Sequence, residues 1–273
     1  MSRFAVAGGA TLNYVDERRP PAGGPAVIFH HGMGGDLSQP LGLLPDLRGC
    51  RLIAPDARGH GASSDLRPED ASFDVLGDDV IRLADHLGLE RFVAAGISLG
   101  AGVSLNLALR QPSRVSALIL ARPAWLDRPM EEWLQALNAR VADLIDHDAP
   151  DQALGELTAD ADYQELARRY PATGDSLRGQ LTRASAHNTV VLRTFPRIAP
   201  TQDRAAWRTL AVPTLVIAHR DDPVHPFEFG EVYAQAIPGA RLVEIPSKER
   251  DPAGYRSGFQ AAVQGFLETL AQA

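Results

Sequence analysis

The stretch that decides the fold is RFVAAGISLGAGVSLNLALR, residues 91–110. Residues 91–97 are almost entirely apolar and predict a buried strand, whereas residues 99–110 predict a helix. Between them stands the pattern G-x-S-x-G, with Ser98 at its centre. A tight turn from strand to helix strains the central residue and lifts its side chain clear of the sheet, and the flanking glycines avoid collisions. The stretch therefore predicts an accessible serine nucleophile, and a serine that only caps a helix is the weaker alternative.

A glycine-rich loop after an earlier strand complements this serine. Residues 26–30 predict a short buried strand, and HHGMGG follows at residues 30–35. Such a loop can bring a backbone N–H close to the serine hydroxyl. The N–H of Leu99 lies at the positive, N-terminal end of the helix predicted for residues 99–110. Together with it, the N–H of Met33 would form an oxyanion hole. Taken alone, the loop is more typical of a plain glycine turn. His31 is more typical of a histidine that packs in a loop than of one that carries a proton.

A third group of polar residues follows a late strand. Residues 214–218 predict this strand, and HRDDPVHP follows at residues 219–226. A carboxylate at the C-terminal end of a strand lies on the edge where open α/β sheets bind ligands. Either Asp221 or Asp222 could therefore orient a histidine.

The pattern of segments predicts the fold class. Apolar runs bounded by turn residues alternate with helical stretches, which predicts a mostly parallel sheet covered by helices on both faces. Residues 3–6 and 12–15 predict a hairpin at the start of the chain. From residue 123 to residue 204 polar helical segments replace the strands, which we interpret as an inserted helical cap. The expected organisation is a core of residues 1–122 and 205–273 with a cap of residues 123–204.

Composition narrows the class of protein. The chain has 273 residues, 45% of them hydrophobic, and a formal net charge of −7, without a block of basic residues. This argues against nucleic-acid and membrane-surface partners, which require clustered positive charge. The sequence has no signal-peptide pattern and no long apolar run, so we expect a cytoplasmic protein. Its only cysteine, Cys50, has no disulfide partner, and neither a metal motif nor a phosphate loop implies a cofactor. No pattern indicates the oligomeric state.

Four motifs in this order resemble the α/β-hydrolase superfamily with a helical cap. They are HHGMGG at 30–35, DARGHGAS at 56–63, GISLG at 96–100 and PTLVIAHRDDPVHP at 213–226. The resemblance covers nearly the whole chain and implies that Ser98 is the nucleophile. It also implies that Asp222, directly before a proline, is the acid of the triad, with Met33 and Leu99 at the oxyanion hole. His60 matches a structural turn of the family.

The chain departs from the family at EIPSKERDPAGY, residues 244–255. Members of the family usually carry the catalytic histidine in this loop, and here that position falls near Arg250. An arginine side chain does not deprotonate in proteins, and Lys248 could act as a base only if burial lowered its pKa by several units. We expect instead that Lys248 or Arg250 helps to close the site by pairing with an acid such as Asp221 or Asp222.

Two histidines remain as candidate bases. Residues 222–225, DPVH, fit a type I turn, which would bring the α-carbons of Asp222 and His225 within about 7 Å of each other. If the imidazole faces Ser98, a Ser-His-Asp unit forms with the histidine moved to the preceding loop, since geometry and not sequence order defines such a unit. Alternatively, His225 only fixes its loop. The second candidate, His187, would reach the site from the cap, where a histidine more often contacts substrate or solvent.

These residues predict a serine hydrolase. It would cleave an ester, lactone or thioester bond of a small carbonyl compound through an acyl-enzyme on Ser98. A first alternative is a ligand-binding protein on the same fold that has lost efficient acylation together with the last-loop histidine. A second alternative is a cofactor-free lyase in which Ser98 is not acylated.

Overall fold

The computed structural model describes residues 1–21, 23–147, 149–182 and 189–272. Its strands form one eight-stranded sheet in the order β1-β2-β4-β3-β5-β6-β7-β8. The strands are β1 Ser2–Ala5, β2 Thr11–Arg19, β3 Ala26–His30, β4 Cys50–Pro55, β5 Phe92–Ile97, β6 Val115–Ala121, β7 Thr214–Ala218 and β8 Arg241–Glu244. The pairs β1–β2 and β2–β4 are antiparallel, and all other pairs are parallel. The predicted N-terminal hairpin and the predicted mostly parallel sheet are therefore confirmed.

Helices lie on both faces of this sheet. The helices in the described ranges are α1 Ser38–Leu43, α2 Phe73–His86, α3 Leu99–Arg110, α4 Glu132–His147, α5 Pro150–Ala159, α6 Ala161–Arg169, α7 Pro171–Thr182, α8 Thr189–Thr194, α9 Phe227–Ala236 and α10 Pro252–Ala271, of which α4–α8 form a separate segment. One apolar core includes buried residues of α2 and α3, and a second includes buried residues of α1 and α10. Strands buried on both faces are expected to be continuously apolar, as β5 is and as β6 is apart from Ser116.

The segment from α4 to α8 lies between β6 and β7 and is helical in its described parts. It has a small apolar core of its own, which includes Val141, Leu157 and Leu177. None of the helices in the described ranges combines the length and the apolar character that crossing a membrane requires. The expected cytoplasmic location stays a prediction.

Candidate active site

Ser98 occupies the tight turn between β5 and α3. Its φ of 56° and ψ of −113° lie outside the regions that non-glycine residues favour. A Cβ on Gly100 would lie 2.2 Å from the backbone oxygen of His30, and a Cβ on Gly96 would lie 2.1 Å from the carbonyl carbon of Gly100. Only glycine fits these two positions, for the steric reason that the G-x-S-x-G pattern indicated.

His225 lies between Ser98 and Asp222. Its Nε2 is 2.8 Å from Ser98 Oγ, and its Nδ1 is 3.0 Å from each carboxylate oxygen of Asp222. His225 is 9% exposed and Asp222 is 7% exposed. With the proton on Nδ1 facing Asp222, Nε2 can accept the hydroxyl proton of Ser98. The structure thus brings together the three residues that the sequence predicted.

The turn that carries Asp222 and His225 is held by the carboxylate of Asp222. Its Oδ1 accepts the backbone N–H groups of Val224 and His225 at 3.2 and 3.1 Å. A side-chain oxygen therefore takes the place of the carbonyl in the expected type I turn, as in an Asx-turn. The same bonds fix the carboxylate relative to the imidazole.

Arg122 is part of this cluster, although no sequence motif singled it out. Its Nε and Nη2 donate to Asp222 Oδ2 at 2.9 and 2.7 Å, and Nη2 lies 3.1 Å from His225 Nδ1. Its Nη1 donates to the hydroxyl of Tyr255 at 3.4 Å. The available signal was an arginine directly after the seven apolar or small residues of β6, at the sheet edge where Ser98 and Asp222 also lie.

The charges of the cluster shift the pKa values of its members. Burial lowers the pKa of His225 below its usual 6.5; Asp222 opposes this shift, whereas Arg122 and Lys248 add to it. Burial raises the pKa of Asp222, but the charges of Arg122 and His225 outweigh burial and hold it well below its usual value. At neutral pH the cluster therefore pairs an ionised carboxylate with an unprotonated imidazole.

The glycine-rich loop after β3 runs past Ser98. A Cβ on Gly32 would lie 3.3 Å from the Cβ of Ser98. The loop is held from several sides, since Gln39 Oε1 accepts the N–H of Gly32 at 2.7 Å and His60 Nε2 accepts the N–H of Gly34 at 3.2 Å. Met33 belongs to this loop, and it lines the same cavity as Ser98. Leu99 is the first residue of α3 and follows Ser98 directly.

The loop where the family usually carries its histidine makes other contacts here. Arg250 Nε lies 2.8 Å from Asp221 Oδ2, which is one of the pairs that the sequence led us to expect. The side chain of Arg250 is 77% exposed, and Asp221, with a φ of 61°, does not contact His225 in the described contacts. Lys248 lines the cavity, and Glu249 binds the first turn of α7. Of the two candidate acids, only Asp222 faces the histidine.

A cavity of about 100 Å³ lies over Ser98 and His225. Helix α4 and the segment before it contribute apolar side chains, and helix α7 contributes mainly polar ones. The apolar residues are Met130, Leu134 and Leu137, and the polar residues are Thr173, Ser176 and Gln180. A small molecule in this cavity would contact both kinds of surface.

The second candidate base, His187, lies outside the described residues, within positions 183–188. In the part of the chain that the structure describes, no group of three or more His, Cys, Asp or Glu side chains is arranged to hold a metal ion.

Comparisons with known proteins agree with this fold. The model of the alpha/beta hydrolase fold family matches residues 25–251. The chain is 29% identical over 264 residues to 2-hydroxymuconate semialdehyde hydrolase of Pseudomonas sp. strain CF600, covering 89% of this chain and 84% of that one. It is 26% identical over 253 residues to 3-oxoadipate enol-lactonase 1 of Acinetobacter baylyi, covering 92% and 91%. Among solved structures, a hydrolase from Pseudomonas aeruginosa superimposes with a TM-score of 0.76 at 30% identity, covering 97% of each chain.

Proposed function

The chain belongs to the alpha/beta hydrolase fold family, and from this premise we propose that it is a serine hydrolase whose histidine base has moved to the loop after β7. Its substrate would be an ester, lactone or thioester of a small molecule. The observation that carries the proposal is the distance of 2.8 Å between Ser98 Oγ and His225 Nε2, with Asp222 on the other side of the ring. Without such a base a serine hydroxyl is a poor nucleophile.

The reaction follows from the positions of these groups. His225 takes the proton of Ser98 as Oγ attacks the carbonyl carbon, and Asp222 stabilises the resulting imidazolium. The backbone N–H groups of Met33 and Leu99 would donate to the negatively charged oxygen of the tetrahedral intermediate. His225 then gives its proton to the leaving alcohol or thiol. Water, activated by the same histidine, releases the acid from Ser98.

Neither basic residue of the last loop supports a role as the base. Arg250 pairs with Asp221, and its side chain is 77% exposed. Lys248 lines the cavity, and its charge lowers the pKa of His225, so it is better placed to influence the base than to replace it.

The segment α4–α8 would act as the cap of the site. Residues of α4 and α7 line the cavity over Ser98, which supports this assignment. The cavity volume of about 100 Å³ favours a small substrate. The two relatives named for an enol-lactone and for 2-hydroxymuconate semialdehyde also support a small carbonyl compound.

The proposal is tested with short p-nitrophenyl esters, small lactones and a fluorophosphonate probe. We expect prompt labelling of the native protein at Ser98 and loss of both labelling and turnover in Ser98→Ala. His225→Ala should lower kcat by on the order of 10⁴-fold or more. The matched control is His147→Ala, which removes an exposed histidine at the end of α4.

Unchanged turnover in both Ser98→Ala and His225→Ala would refute a serine mechanism. Absence of labelling in the native protein, combined with saturable binding of a small molecule, would favour the ligand-binding alternative. An acyl-enzyme detected by mass spectrometry would exclude a lyase that leaves Ser98 unmodified.

A further inference from the structure

We infer that Arg122 is a positioning residue of the Ser98–His225–Asp222 unit, which holds the Asp222 carboxylate in place and keeps a permanent positive charge beside the imidazole. The inference rests on the proposed function and adds a residue to it. Two independent features of the structure carry it, the backbone conformation of Arg122 and the contacts of its guanidinium.

The backbone of Arg122 is strained in a way that directs its side chain toward the neighbouring strand. β6 ends at Ala121, and Arg122 follows with a φ of 45°, in the left-handed region that non-glycine residues rarely adopt. Its backbone N–H donates to the carbonyl of Ile217 in β7 at 2.7 Å. Such strain persists only where the surrounding structure enforces it, and it is concentrated at functional sites. Here it brings the guanidinium to the C-terminal end of β7, where Asp222 lies.

The guanidinium completes the coordination of the Asp222 carboxylate. Oδ1 is occupied by the backbone of its own turn, and Oδ2 accepts two N–H groups of Arg122 at 2.9 and 2.7 Å. The Arg122 side chain is 12% exposed and that of Asp222 is 1% exposed, so solvent hardly competes for these bonds. Tyr255 supports the guanidinium, with its ring centroid 5.7 Å from Cζ. Because the planar fork of arginine is rigid, the carboxylate cannot rotate away from His225 without breaking these bonds.

The charge of Arg122 acts on the imidazole directly, because Nη2 lies 3.1 Å from His225 Nδ1. The charged groups around His225 are Asp222, Arg122 and Lys248. The ring of His219, whose pKa burial lowers, lies with its Nε2 3.3 Å from Asp222 Oδ2, and the Tyr255 hydroxyl lies behind the guanidinium. Asp222 favours the imidazolium, whereas Arg122 and Lys248 disfavour it. Arg122 therefore keeps His225 unprotonated, and thus able to accept the Ser98 proton, down to a lower pH than the carboxylate alone would allow.

The test compares Arg122→Gln, which removes the charge, with Arg122→Lys, which keeps the charge but loses the fork. Two measurements are made over pH: kcat/KM for a short p-nitrophenyl ester, and the His225 titration midpoint by NMR of ¹³C-labelled histidine. In Arg122→Gln we expect both the acidic limb and the midpoint to move up by about one pH unit. In Arg122→Lys we expect both to stay near the native values, while kcat falls about tenfold because the carboxylate is held less rigidly.

Arg51→Gln is the matched control. Arg51 also binds a carboxylate through two bonds, to Asp16 at 2.9 Å each, but it lies in β4, which β3 and β5 separate from β6. The Arg51→Gln substitution should leave both the acidic limb of the kcat/KM profile and the His225 titration midpoint unchanged.

If Arg122→Gln folds and keeps both the native His225 titration midpoint and the native acidic limb of kcat/KM, the inference is overturned. If Arg122→Gln does not fold, Arg122→Lys decides the matter, since native kcat or a shifted midpoint in that variant would contradict it. A midpoint that moves as expected in a protein that neither labels nor turns over esters would instead refute the proposed function. The NMR measurement therefore separates the two failures.

Discussion

Glu249 joins the loop after β8 to helix α7, and we predict that this contact holds the proposed cap over the site. Its carboxylate accepts the backbone N–H of Ala172 at 2.6 Å, the N–H of Thr173 at 3.0 Å and the hydroxyl of Thr173 at 2.8 Å. These N–H groups belong to the first turn of α7, where no carbonyl within the helix can accept them. The N–H of Thr173 also lies 3.1 Å from the carbonyl oxygen of Tyr170, so Glu249 shares that donor. The perturbation is Glu249→Ala, which removes all three bonds.

The magnitude follows from the kind of bonds lost. An N-terminal cap contributes typically ~1 kcal/mol, and a negative charge near a helix N-terminus adds roughly 0.3–1 kcal/mol. The additional charge-assisted bond to the Thr173 hydroxyl brings the total to about 2–3 kcal/mol for this half-buried carboxylate. This free energy acts on the opening of α7 and not on the whole fold, and it corresponds to a factor of roughly 30–150 in the opening equilibrium.

The assay combines hydrogen exchange of the α7 amides with steady-state kinetics. In Glu249→Ala we expect exchange in the first turns of α7 to accelerate by about 30-fold or more. KM should rise, because Thr173, Ser176 and Gln180 of α7 line the cavity. The effect on kcat should be smaller, because Glu249 has no described contact with Ser98 or His225.

The matched control for this prediction is Glu244→Ala. It removes a carboxylate from the end of β8, where Glu244 pairs with exposed Arg220 at 3.0 Å, away from α7. Exposed pairs of this kind contribute little to stability. Native exchange of α7 together with native KM in Glu249→Ala would refute the reasoning.

Two further predictions concern the role of Arg250 and the pH dependence of stability. Because Arg250 is largely exposed and bound to Asp221, Arg250→His should change ester hydrolysis by no more than about twofold, and a gain of tenfold or more would show that the last loop can still hold a base. Burial lowers the pKa values of His30 and His60 to about 4. The unfolded chain therefore takes up protons at these residues below about pH 6.5 whereas the folded chain does so only near pH 4, so stability should fall by roughly 2.5 kcal/mol per histidine by pH 4.5. Urea unfolding at pH 7 and pH 4.5 measures this loss, and equal stability at both values would contradict it.

The sequence predicted those parts of the site that local geometry determines. The turn around Ser98 permits only glycine at two positions, so its pattern is visible in five residues. The spacing of Asp222 and His225 within one turn was equally local. Between Asp221 and Asp222, only the family resemblance favoured Asp222. The residues alone left the choice open, because it depends on the positive φ of Asp221, whose side chain pairs with Arg250.

The contacts that the sequence did not predict are those between distant segments. Arg122 and Asp222 are 100 positions apart, and Glu249 and Ala172 are 77 apart. Neither periodicity nor turn chemistry encodes such a pair, since each partner is only a charged or small residue at the end of an element. They are specified by the order of strands in the sheet, which places the ends of β6, β7 and β8 side by side.

This strand order also explains how a base could move between loops without loss of the catalytic arrangement. β7 and β8 pair in parallel, with Ala218 opposite Glu244, so the two loops that follow them leave the sheet at the same edge. A histidine in either loop can approach the end of β5, where Ser98 lies. If His225 in the first of these loops is the base, as proposed, the second loop does not have to present one. Its residues Glu249 and Arg250 bind α7 and Asp221.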